Sequence, residues 1–176
     1  VAAVDHGKLD LKALTLYAIL LAAGFVLNLT VSKFFSGLTG GFLSPEFIIA
    51  AFCLEILIIK PNIGQAAVIG LLAGVVIQIT ASVKGPDLIA EPVAAVVMAL
   101  LVSALSDSKA KGLLPLVGTF IVTFISGIIY ALIFSFLIMK NPAFVGVMAP
   151  VVAATGVANA IIVAALHLPI KKALKL

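Results

Sequence analysis

The chain has 176 residues, 64% of them hydrophobic and 10% charged, with a formal net charge of +4. Mean hydropathy is +1.35, whereas soluble domains average about 45–50% apolar and about 25% charged residues. These values exclude a soluble globular domain and predict an integral membrane protein, helical because its apolar runs are long.

The first residues carry Asp5, His6, Lys8 and Asp10, and no small-residue cleavage pattern follows the first apolar run. No cleaved signal peptide is therefore expected. The first apolar segment covers about residues 11–31. Residues 33–41 follow and are too glycine-rich for a stable helix. The second segment, residues 44–59, opens with Ser44-Pro45-Glu46. That triplet reads as a helix start: a hydroxyl cap, proline at the first helical position and a carboxylate at the positive dipole end. Residues 60–64 make a tight turn, and the third segment covers about 63–81.

The fourth segment, 86–106, contains the most informative stretch. From Pro92 to Ser106 there are 15 residues, about 22 Å of helix, short of a bilayer core of roughly 30 Å. The helix must therefore start near Pro86, which places Glu91 inside the outer part of the membrane. A carboxylate there costs roughly 2.5–3.5 kcal/mol at mid-bilayer and by default faces a cavity or a partner. Asp87 stands four residues before Glu91, on the same helical face. Pro92 removes one backbone hydrogen bond and frees the carbonyl of Leu88. Residues 107–112 form a solvated connection. The fifth segment covers 113–139, Lys140-Asn141-Pro142 is a turn, and the sixth covers about 147–168. Pro169 is expected to end it, ahead of Lys171, Lys172 and Lys175. The expected fold is one all-α domain over residues 1–176, a bundle of six transmembrane helices.

All eleven basic residues are lysine. With both termini cytoplasmic, Lys8, Lys12, Lys60, Lys109, Lys111, Lys171, Lys172 and Lys175 lie inside, against Lys33, Lys84 and Lys140 outside. That bias is the positive-inside pattern, and it accounts for the net charge without a nucleic-acid partner. Glu46, Asp87, Glu91, Asn28, Gln78 and Asn141 then fall toward the outer ends of helices. Glu46 and Asp87 read either as helix-start carboxylates or as ligand contacts. Glu91 reads either as an ion-pair partner of Lys84 or Lys33, or as a ligand-facing acid. Glu55, near the inner end of its segment, is expected to snorkel to the inner surface or to pair with Lys60.

Thr119, Thr123, Ser126 and Tyr130 draw one stripe along the fifth helix, and Thr155 and Asn159 are four apart on the sixth. Such stripes mark close helix packing or, with Glu91, a polar pocket. Ala18 and Ala22, and Gly70 and Gly74, are small-xxx-small pairs that let a backbone approach, whether of a partner subunit or of a neighbouring helix. Cys53 is a lone cysteine in an apolar run, so no disulfide framework and no metal cluster is expected.

Six helices in fewer than 200 residues, with an Ala18-xxx-Ala22 pair and a loop between the first two helices, resemble the substrate-binding S-component of an energy-coupling factor (ECF) transporter. The local likeness is to tryptophan-type S-components. Ser44-Pro45-Glu46-Phe47 resembles their Pro-Asp-Phe-like helix start. Gly85-Pro86-Asp87-Leu88-Ile89-Ala90-Glu91-Pro92 resembles their Gly-Pro-Asn-Ile-Ile-Asp-Lys-like stretch, with Asp87 where Asn is expected and Ala90-Glu91 where Asp-Lys is expected. The resemblance implies a loop dipping between helices one and two that closes over a solute captured from outside. That solute would be a vitamin, a vitamin precursor or an amino-acid-like molecule such as tryptophan. Delivery would follow by toppling against a T-component scaffold, with Ala18 and Ala22 contacting that scaffold. Glu91, Asp87, Glu46, Tyr130, Ser126, Asn159, Thr155, Gln78 and Asn141 are the candidate substrate contacts. The chain has no phosphate-binding loop ending in Lys-Ser/Thr, so ATP and Mg would be handled by two separate ATPase subunits. Glu91 and Asp87 would favour a solute bearing an amine, a protonated ring nitrogen or hydroxyls.

Other classes make different demands. A self-sufficient secondary transporter could use Glu91 or Glu55 as a proton carrier, and six helices without a repeat would need to dimerise. A channel needs a polar stripe through both halves of the bundle, and the inner half is apolar. An intramembrane enzyme needs a nucleophile with its base, or a metal set at ligand spacing, and neither pattern occurs.

Overall fold

The computed structural model describes Gly7 and residues 9–174. His6, Lys8 and Lys175, used above for the leader and orientation, lie outside the described residues. Six apolar helices occur among the described residues: α1 (Leu11–Leu38), α2 (Phe47–Ile59), α3 (Ile63–Gln78), α4 (Asp87–Leu105), α5 (Lys109–Ile138) and α6 (Phe144–Ala173). Helices α1, α4, α5 and α6 are long and apolar enough to cross a membrane, so the chain is an all-helical, multi-pass membrane protein. Helix α2 has 13 residues and α3 has 16, about 20 and 24 Å, shorter than a hydrocarbon core.

The shortness of α2 has a packing reason. Every residue from Ile48 to Ile58 is buried, and the helix contacts α1, α3, α4 and α6. A helix that is apolar all round belongs in the middle of a bundle. Around it, Tyr17, Ile69, Met98, Val122 and Val163 complete a core that joins α1, α3, α4, α5 and α6. Burial of α2 also overturns the expectation that Glu55 snorkels to the inner surface. Its carboxyl does not snorkel out: the residue is fully buried and both oxygens lack a hydrogen-bond partner among the described residues.

Local chemistry sets the helix ends. Asp10 caps α1 by accepting from the Ala13 amide at 2.9 Å. A reciprocal capping box joins Asn62 and Gln65 at the start of α3. Lys60, at φ +51°, turns the chain out of α2. In two places the chain stays helical where composition predicts a break. Helix α1 runs through Gly37 to Leu38 and stops only at Gly40 and Gly41, with φ of +62° and +89°. A glycine costs about 1 kcal/mol within a helix, too little to stop one already propagating through 26 residues. Helix α6 likewise passes Pro150 and Pro169 and ends at Ala173. Proline is tolerated in membrane helices because neighbouring groups satisfy the backbone it frees.

Gly70 and Gly74 meet a neighbouring helix of the same chain. A Cβ on Gly70 would lie 2.5 Å from the Glu91 carbonyl oxygen, and one on Gly74 would lie 2.7 Å from that of Asp87. The seam therefore presses α3 against the acidic half of α4. Ala18 and Ala22 are exposed on α1. Gly70→Ala should cost about 1–3 kcal/mol through overpacking. Gly37→Ala, whose new methyl meets nothing within 4 Å, should stabilise by up to about 1 kcal/mol. Unfolding of the two variants in detergent checks this pair, and equal effects would refute the seam.

Candidate functional site

The helices alternate in direction, which gathers the C-terminal parts of α1, α3 and α5 with the N-terminal parts of α2, α4 and α6. Between them lies a cavity of about 450 Å³. Its walls include Asn28 and Ser32 on α1, Glu46 and Ile49 at α2, Asp87 and Glu91 on α4, Thr123, Ser126 and Tyr130 on α5, and Val152 and Thr155 on α6. Lys33, Gly41, Thr80 and Ser82 also line it and are exposed, so the cavity reaches the surface at this end.

The start of α2 is tied from both sides. The Phe47 amide donates to Asn28 Oδ1 at 2.7 Å, and Asn28 Nδ2 donates to Glu46 Oε2 at 2.8 Å. From α6, Asn159 Oδ1 accepts from the Glu46 amide at 2.9 Å, while Asn159 Nδ2 donates to Thr123 Oγ1 at 3.3 Å. Thr155 donates to the Ser44 carbonyl at 3.2 Å. Ser44 therefore does not cap α2, as its place in the sequence suggests. Its hydroxyl pairs with Ser32 at 3.0 Å, and the helix begins at Phe47 with capping oxygens supplied by two asparagines of other helices. The fully buried Asn159 thus holds together the start of α2 and the middle of α5.

Helix α4 brings Asp87 and Glu91 to the opposite wall. Glu91 is 2% exposed; its Oε1 accepts from Ser126 at 2.8 Å, and its Oε2 has no hydrogen-bond partner among the described residues. Asp87 Oδ2 lies 3.4 Å from Gln78 Nε2. Gln78 also accepts the Gly85 amide at 2.8 Å, and its carbonyl receives the Lys84 ammonium. Gln78 thus braces the 79–86 connection and Asp87 without being a wall residue.

Of the expected contacts, Glu46, Asp87, Glu91, Ser126, Tyr130 and Thr155 line the cavity, and Asn159 lies directly beneath its wall. Asn141 is exposed in the turn before α6, where it accepts from the Ala143 amide at 3.2 Å. Thr119 continues the α5 stripe into the core, below the cavity. Thr123, Ser126 and Tyr130 of that stripe stand in the cavity wall. Gly127, beside Ser126, lines the cavity and also packs so closely that an added Cβ would lie 2.5 Å from Val152. Ser32, Ser44 and Asn28 belong to the same network without being among the expected contacts. The spacing of Asn28, Ser32 and Ser36, four apart on one face of α1, is the signal that points to them. A π-helical turn at Asn28–Ser32 lies in this stretch, and such turns often mark functional positions.

Asn159 is fully buried, and its loss would leave the part-buried Glu46 N–H and Thr123 Oγ1 without their partner, so Asn159→Ala should destabilise the chain by about 1–3 kcal/mol. Asn141→Ala, at an exposed turn, should change stability by less than about 0.5 kcal/mol. Thermal unfolding of both purified variants tests the contrast; matching effects would remove Asn159 as the tie. Comparison with family models, with curated proteins and with solved structures finds no match for this chain.

Proposed function

We propose that the chain is the solute-binding membrane subunit of an importer of the ECF type. In this reading it captures a vitamin, a vitamin precursor or an amino-acid-like solute, tryptophan included, from outside a prokaryotic cell membrane. The observation that carries the reading is the cavity of about 450 Å³ at one end of an apolar bundle. Its volume lies in the range of small-molecule sites, about 300–1,000 Å³. Buried polar groups such as Glu91, Ser126 and Thr123 are costly inside a membrane and by default mark a ligand path. Ala18 and Ala22, exposed on α1, are available to a T-component scaffold, and two ATPase subunits would bind ATP and Mg. No catalytic step is assigned to this chain.

The segment 33–43 borders the cavity through Lys33, Ser36 and Gly41 and is the piece that would close over a bound solute. It is helical to Leu38, so closure would be a swing of a helix end and its following turn. Fully buried Phe52, Ile56 and Met98 pack in the core, so delivery requires movement of the whole bundle against a partner. A second reading, a proton-coupled transporter acting as a dimer, rests on Glu55, a fully buried acid without a hydrogen-bond partner among the described residues.

Native mass spectrometry of the chain purified from its native membrane should show a retained small solute and co-purifying scaffold and ATPase subunits. Uptake should then require those ATPases and persist in Glu55→Gln. Uptake by the chain alone, driven by a proton gradient and abolished in Glu55→Gln, would replace the first reading with the second.

A further inference from the structure

We infer that the cavity is built for an organic cation, an ammonium or protonated ring nitrogen carried on an apolar body; this rests on the solute-binding reading above. Three carboxyl side chains, Glu46, Asp87 and Glu91, line one cavity. Asp87 and Glu91 are four apart and reach it from the same face of α4. The donors that meet them within the bundle are neutral: the Asn28 amide on Glu46, the Gln78 amide on Asp87 and the Ser126 hydroxyl on Glu91.

One acceptor is left over. Glu91 Oε2 is buried, has no hydrogen-bond partner among the described residues, and belongs to a residue that lines the cavity. An unmade hydrogen bond at a buried charged group is expensive, and a ligand N–H would complete it as a charge-assisted bond. The lysine among the wall residues, Lys33, is exposed at the rim. In their ionised forms, three acids against one rim lysine would repel an anion and attract a cation.

A bare metal ion does not suit the site. Among the described residues no group of three or more His, Cys, Asp or Glu side chains could hold one, and the volume far exceeds a metal's coordination shell. Ile48, Ile77, Met148 and Val152 add apolar stretches of wall among the hydroxyl groups, and these fit a hydrocarbon or aromatic body. Tyr130, whose ring stacks on Phe134, adds an aromatic side chain to the wall. Recognition would therefore be split: the carboxyls select the charge, and the apolar walls select the size and shape of the rest.

The test uses three ligands of one shape: tryptamine, its alcohol tryptophol and its acid indole-3-acetate, titrated calorimetrically into the full chain in detergent. Tryptamine should bind at least about tenfold more tightly than the other two. Glu91→Gln should weaken tryptamine at least about tenfold, and Asp87→Asn should weaken it in the same direction. Glutamine keeps the volume and the ability to donate a hydrogen bond. Undiminished binding to Glu91→Gln would therefore show a neutral Glu91 acting as a donor and overturn the cation site. Asp87→Asn supplies the same decision should Glu91→Gln fail to fold. Equal or tighter binding of the alcohol or the acid, or no binding of the amine, would also overturn it. Mass spectrometry of the co-purified solute separates the two readings. A retained neutral or anionic solute overturns the cation inference alone, whereas an empty chain that binds none of the three ligands removes both.

Discussion

The architecture depends on how a wholly buried helix is allowed to begin. The first amide groups of any helix lack intrahelical partners, and at the start of α2 the Glu46 and Phe47 amides are part-buried between α1 and α6. Asn28 and Asn159 supply the missing acceptors, one from α1 and one from α6, and each spends its other amide end on a further polar group. A single solution to a backbone problem thus fastens four helices at one level. The polar groups that satisfy it are already gathered there, so the cavity opens at this end of the bundle.

The same economy appears in α4. Its N-terminal half is pressed against the glycines of α3, leaving Asp87 and Glu91 to project toward α5 and the cavity. Pro92, one residue beyond Glu91, lies inside the helix and removes a backbone donor there. Close backbone packing on one side and acidic side chains on the other are two faces of one helix. Moving the seam would move the acids.

How much of this is legible in the sequence follows from the range of each interaction. Six apolar segments are visible because hydropathy is local, and Glu91 with Asp87 and Ser126 with Tyr130 are visible because helical spacing is local. The ends are less so. Gly37 and Pro169 look like stops when only propensity is weighed, but an established helix passes both. Ser44 looks like a cap because it has the right residue type in the right place, yet Asn159, 113 residues away from Glu46, does part of that work. Glu55 looks like a surface acid because Lys60 is five residues on; its burial follows from α2 being ringed on all sides, which no single segment discloses. Small-residue pairs are equally ambiguous until neighbours are known: Gly70 and Gly74 pack within the chain, whereas Ala18 and Ala22 face outward.

Polarity is divided unequally along the bundle, and that division constrains any mechanism. At one end, exposed Lys33, Thr80 and Ser82 border a cavity whose floor contains Thr123 and Ser126. Away from it, the core is built from fully buried Phe52, Ile56, Ile69, Met98 and Val163. Interiors packed at crystal-like density deform little, so a solute seated beside Glu91 has no ready path through that layer. A static pore would need polar groups on both sides of it, and Glu55, enclosed and without a hydrogen-bond partner among the described residues, does not supply a continuous line. On the proposed importer reading, binding at one end and release at the other would be separate events, joined by motion of helices as bodies. Under that proposal, the cavity at one end and the closed apolar core beside it divide the labour: this chain would hold the solute, and its partner subunits would supply the work of release.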